Sequence, residues 1–123
     1  LYPTPEGSAG ARLCYDVLGV SASWYLKLFE RVNLCRGDWD DLTAMFAAAA
    51  IKAERAVLLG ARVSAAFGLP YRPFAISELG AGRSALVLPH TSSRCRTWND
   101  PRSWELARTA ALQFIPELRE FTS

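Results

Sequence analysis

Residues 39–67 read WDDLTAMFAAAAIKAERAVLLGARVSAAF, an alanine-rich run with no proline and one internal glycine. Alanine is the strongest helix former, and both ends of the run carry helix punctuation. Asp38 is a good N-cap, and Asp41 puts a carboxylate near the positive helix end. Gly68 and Pro70 supply a stop. This spacing predicts one long helix over 39–67, spanning about 40 Å at ~1.5 Å per residue, the scaffold of so small a domain. Its inward positions are expected to be Trp39, Leu42, Met45, Phe46, Ala49, Ala53, Val57, Leu58, Val63 and Phe67. Ala56, Gly60 and Ser64 would form a ridge of small residues for a close helical neighbour. As a helix-interior residue, Gly60 would cost roughly 1 kcal/mol against alanine.

The flanking segments extend the helical expectation. Residues 1–10, LYPTPEGSAG, read as an irregular N-terminal arm. From residue 11 apolar residues recur at steps of three and four, through Leu13, Val17, Val20 or Trp24, Leu28 and Val32. Gly19 and Ser21 interrupt them, which predicts helices over 11–18 and 22–34 or one kinked helix. "PFAIS" and "SALVLP" flank "ELGAGR" and predict a small β-hairpin between 73 and 88 with a glycine-rich turn. Asp100-Pro101 is a strong helix start, because proline needs no amide hydrogen at the first helical position. Trp104, Ala107, Ala111, Phe114 and Leu118 then line one face, until Pro116 bends or restarts the helix. The fold class expected is mainly α: a bundle of three to four helices around the 39–67 helix, plus the hairpin, in a single helical domain over 11–123.

With 123 residues, half of them hydrophobic, the chain can bury a core without metal or disulfides. A net charge of +2 exerts no general pull on polyanions. The longest charge-free apolar stretch, residues 42–51, is half of a membrane span, and no secretory signal opens the chain. The chain starts at Leu1, so it reads as an excised domain or a processed product, with a removed signal left open. Three cysteines, Cys14, Cys35 and Cys95, fit reduced thiols in an intracellular protein, cytoplasmic or nuclear, better than a disulfide framework, with one bridge plus a spare thiol as the alternative.

Residues 15–21, YDVLGVS, resemble the opening of the J-domain co-chaperone family. That resemblance implies action through a His-Pro-Asp tripeptide, whereas the sole histidine, His90, follows Pro89 and precedes Thr91, so the function does not carry over. The same Leu-Gly-Val-Ser is a common helix-turn-helix bend. On that basis residues 21–32 would be a recognition helix presenting Ser21, Ala22, Ser23 and Lys27 to base edges. Against it, Tyr15 stands where the helices would cross, and Trp24, Tyr25, Leu26, Leu28 and Phe29 leave little polar surface. "ASWYLKLF…DWDDLTAMF" is similar to the Trp-containing helix pair of retroelement Gag capsid domains, which implies an assembling module.

Catalytic patterns are scarce. One histidine excludes a multi-histidine metal site, and the cysteines lack paired zinc-ligand spacing. A Cys95/His90 dyad has nothing evident to orient it. Asp38, Asp40 and Asp41 are better explained by helix capping than by cation binding, and GAGRS lacks the lysine of a phosphate-binding loop. No enzyme, cofactor or metal is expected. The expected function is a protein–protein interaction or oligomerisation domain of a larger regulatory or viral protein. Four tryptophans in so short a chain suggest exposed anchors, with Trp24, Tyr25, Phe29, Tyr71, Phe74 and Trp98 as the candidate partner-binding residues. The alternative is a nucleic-acid-binding domain, either helix-turn-helix-like over 11–34 or using the basic loop 83–102. Its contacts would be Lys27, Arg31, Arg83, Arg94, Arg96 and Arg102.

Overall fold

The computed structural model of the chain describes residues 12–91 and 96–120. The expected N-terminal arm, Arg94 and Cys95 lie outside the described residues. The chain divides into two compact units, one formed by Asn33–Pro89 and the other by Leu1–Val32 with His90–Ser123.

In the unit Asn33–Pro89 the 39–67 helix is not formed. Helix α2, Asp41–Ala50, is followed by an extended link, strand β1 (Arg55–Leu59) and a short helix, α3 (Ala61–Ala66). Strands β2 (Ile76–Gly80) and β3 (Arg83–Leu88) complete a sheet with the order β1-β3-β2, three-stranded among the described residues. The expected hairpin strands are thus two members of a mixed sheet, and the all-α bundle around a central helix is overturned.

The reason lies in residues 55–59. Arg-Ala-Val-Leu-Leu is a short apolar run that periodicity cannot assign to helix or strand. As a strand it pairs in parallel with β3, Arg55 opposite Ser84 through Leu59 opposite Leu88. The amide of Gly60 prolongs the ladder by donating to the Leu88 carbonyl at 2.8 Å. β2 pairs with β3 from the other side in antiparallel register, Ile76 opposite Leu86. β3 therefore has partners on both edges, and its Ala85-Leu86-Val87-Leu88 is buried throughout, as the continuous apolar pattern of a central strand requires.

α3 links two small cores. Val63 and Phe67 pack against Leu34, Ala44 and Ala48 on one side, and against Leu58, Ala85 and Val87 of the sheet on the other. Gly60 begins α3 at φ 92°, ψ 168°, a conformation essentially confined to glycine. Gly80 and Gly82 take left-handed angles in the turn from β2 to β3, so GAGRS forms this turn and the first residues of β3.

In the other unit, a π-helical turn, Arg12–Val17, precedes α1, Ala22–Leu28, with Gly19 at φ 68° between them. The expected helix over 22–34 stops after seven residues, at Phe29, whose backbone is extended. The Ser21 hydroxyl caps α1 by accepting from the Trp24 amide. A 3-10 turn, Arg96–Asn99, leads into α4, Pro101–Phe114, and a second, Pro116–Glu120, follows it. Asp100 caps α4, with Pro101 at its start. Ala107, Ala111 and Phe114 form its buried stripe, while Trp104 is half-buried.

Replacing Gly60 decides between the two backbones by sign. In a helix interior Gly60→Ala would add about 1 kcal/mol of stability. At the observed dihedral angles it is expected to remove about 1–3 kcal/mol, measured by urea unfolding. Gly37→Ala, where an added Cβ meets nothing within 4 Å, is the control and stays within ~0.5 kcal/mol.

Candidate functional site

α2 begins where Asp40, not the expected Asp38, caps it. The Asp40 carboxylate accepts from the Thr43 amide at 2.8 Å and from the Thr43 hydroxyl at 2.6 Å. Asp41 accepts from the Trp39 indole N–H at 2.8 Å. At the other end Lys52 donates to the Ala49 carbonyl at 3.0 Å. The Arg83 guanidinium donates to the carbonyls of Ile51 and Ala53, at 2.6 and 3.0 Å. Both ends of the helix are therefore held in place.

Its two faces are the reverse of a self-sufficient amphipathic helix. The inward face is alanine: Ala44 and Ala48 are buried against Leu34, Val63 and Phe67. Small residues there let the neighbouring backbone approach closely. The large side chains point outward, with Leu42 65% exposed, Met45 52% and Phe46 75%. Positions 42, 45, 46 and 49 follow the i, i+3, i+4, i+7 spacing of one helical stripe, and Ala49 is exposed with them. The expectation that Leu42, Met45, Phe46 and Ala49 face inward is overturned, because the long-helix pattern marks them as apolar without saying which side the core occupies.

The aromatic residues expected at a partner surface are distributed otherwise. Trp24 and Tyr71 are exposed, while Phe29 and Phe74 are half-buried. Tyr25 and Trp98 lie in the interior. The Trp98 indole donates to the His90 carbonyl at 2.9 Å, the Trp104 indole donates to the Trp98 carbonyl at 3.0 Å, and the two rings are 4.9 Å apart. The ring of Tyr25 lies 5.6 Å from that of Phe29, and its hydroxyl finds no hydrogen-bond partner among the described residues. Burial pushes the Tyr25 pKa up, opposed by the nearby Arg31 guanidinium. Phe74 holds a left-handed backbone, φ 68°, with its amide donating to the Val87 carbonyl at 2.7 Å.

Of the basic candidates, Arg94 lies outside the described residues. Arg83 is the clamp on the link after α2. Arg31 is half-buried, 5.7 Å from the Tyr25 ring centre, and donates to the Phe29 carbonyl at 2.9 Å. Arg102 pairs with Asp100 at 3.4 Å, and Arg96 is exposed. Lys27 sits 5.0 Å from the exposed Trp24 ring centre. A surface depression of about 470 Å³ is lined by Tyr15, Asp16, Trp104, Glu105 and Arg108. The Arg108 guanidinium donates to the Asp16 carbonyl at 2.8 Å, and the Arg12 guanidinium lies 5.7 Å from the Trp104 ring centre. Among the described residues no group of three or more His, Cys, Asp or Glu side chains is placed to hold a metal ion. Nor is any helix there long and apolar enough to cross a membrane.

Comparisons with protein-family models, with curated proteins and with solved structures give no match.

The Thr43 bonds hold the Asp40 carboxyl below its ordinary value of 3.8, and the Arg102 amide does the same for Asp100. A lowered folded-state pKa means that each cap contributes fully above the ordinary carboxylate range and is lost as pH falls through the lowered value. Helical circular dichroism is therefore expected to hold down to about pH 4 and decline below it. Asp40→Asn, which keeps an acceptor oxygen, should flatten part of that decline. Tyr25→Phe removes an unsatisfied buried hydroxyl. It is expected to leave stability unchanged or raise it by about 1 kcal/mol in chemical denaturation.

Proposed function

We propose that this chain is a protein–protein interaction module whose docking surface is the outward face of α2. The observation that carries this is the exposure of Leu42, Met45 and Phe46 on a helix with both ends fixed and its other face packed. Burying such side chains is worth about 1.5–3 kcal/mol each. A rigid stripe of them therefore gains most from a partner that covers it. The occupant that matches this stripe is another helix with an apolar face, since i, i+3, i+4, i+7 anchors are how helical surfaces engage. Trp24, exposed in the other unit, and Tyr71 are secondary anchors at most, because neither is part of a comparable stripe. An intracellular setting accords with this role: Cys14 and Cys35 are free thiols, the state that a reducing compartment maintains.

The nucleic-acid alternative has one feature in its favour. Lys27 beside the exposed Trp24 is the type of cation and aromatic face on which single-stranded bases stack. Among the described residues Arg31, Arg83 and Arg102 already hold carbonyl or carboxylate partners, which leaves fewer cations for the phosphate neutralisation it needs. Salt-dependent binding to single-stranded probes, lost on Trp24→Ala with Lys27→Ala, would favour it.

Phe46→Glu is the direct test of the interaction role. Phe46 is 75% exposed, so the substitution is expected to leave the unfolding free energy within ~0.5 kcal/mol of wild type. In capture experiments from the source cells, including capture of untagged chain by tagged chain, proteins retained by the wild type should be lost with Phe46→Glu and kept with Trp24→Ala. The same retained set from wild type and Phe46→Glu would overturn the proposal.

A further inference from the structure

We infer that the partner covering α2 is a second copy of this chain, its α2 running antiparallel to the first across a two-fold axis between Met45 and Phe46. This inference rests on the interaction role proposed above and names the occupant of that same surface.

Three properties of α2 are self-complementary in that arrangement. The first is charge. The N-terminal end carries Asp38, Asp40 and Asp41, all exposed, and Lys52 lies just past the C-terminal end. Antiparallel pairing brings the acidic end of each helix to Lys52 of the other copy, and it aligns the two helix dipoles favourably. Parallel pairing would set the acidic ends against each other.

The second property is volume. With the axis between residues 45 and 46, Leu42 of one copy faces Ala49 of the other, and Met45 faces Phe46. Large side chains thus meet small ones at both rims, with the thioether and the ring in the centre, as interdigitated helix packing requires. Ala49 would otherwise leave a gap at the C-terminal end of the apolar stripe.

The third property is area. The exposed stripe is on the order of a few hundred Å², the size of patch that marks an interaction site on a small protein. Two copies facing each other remove on the order of 1,000 Å² from water, at the low end of specific interfaces. A closed two-fold pair uses the same patch on both chains and leaves no stripe exposed to seed further growth. The expected product is a weak, reversible dimer.

Sedimentation of the full chain between about 1 and 100 μM tests this, with a dimer expected to form at Kd in the micromolar range. Phe46→Glu, at the centre of the pair, is expected to weaken association roughly 100-fold or more. Ala49→Trp, on an exposed position that the fold does not use, is expected to weaken it by blocking Leu42 of the other copy. Asp41→Lys and Lys52→Glu each place like charges together and should weaken the dimer by about threefold to tenfold, most clearly at low salt. The two combined restore opposite charges and should return association close to wild type. Circular dichroism of each variant shows that α2 is still formed.

A wild-type chain that stays monomeric over this range, or a Phe46→Glu chain that dimerises like wild type, would overturn the inference. So would a double charge exchange that associates no better than its single parents with α2 intact. If the wild type is monomeric yet captures a different protein through Phe46, self-pairing fails and the interaction role stands. If neither the dimer nor Phe46-dependent capture is found, both fail.

Discussion

The parallel pairing of β1 with β3 is the constraint on which the unit Asn33–Pro89 depends. Five residues that could have continued a helix take their hydrogen bonds from a strand far along the chain. That exchange ends α2, sets the position of α3 and gives β3 its second partner. Arg83 reinforces the same choice. It opens β3, and its guanidinium reaches back to the carbonyls of Ile51 and Ala53, groups that a continued helix would have bonded internally. Those two carbonyls, just past the end of α2, are thereby paired by a side chain instead of by a further helical turn.

The arrangement of α2 follows from where it stops. A short helix needs only a narrow contact with its own unit, and alanines at 44 and 48 make that contact close. The larger apolar residues are then left on the outside. This distribution has a cost for an isolated chain, since exposed Phe46 and Leu42 gain nothing from folding. A second helix against them turns that cost into binding free energy, which is the physical link between the sheet and the proposed function.

The unit formed by Leu1–Val32 with His90–Ser123 is governed by more local chemistry. Asp100 and Pro101 start α4, and Ser21 starts α1. The tryptophans at 98 and 104 are held through indole N–H donors to backbone carbonyls, which fixes large rings at known depth. Trp98 serves the interior, as does Tyr25, and this removes two of the six expected aromatic anchors from the surface. Trp24 and Lys27 remain on the outside of α1, a helix of seven residues.

The sequence by itself determined the features that one or two residues settle through their own covalent chemistry. These include the start of α4 at Asp100-Pro101, the glycine turn at 80–82 between extended runs, and the end of helical structure near Gly68 and Pro70. Each follows from an allowed φ, a missing donor or a capping oxygen, and needs no distant partner. It also showed that residues 42, 45, 46 and 49 lie on one stripe. Only the tertiary structure decided which way that stripe faces, because periodicity defines a face and not its neighbour. The same holds for residues 55–59, whose apolar run fits helix and strand alike until β3 is beside it, and for Tyr25 and Trp98, whose depth depends on what packs over them. Local geometry is written in single residues, whereas burial is a property of pairs brought together by folding.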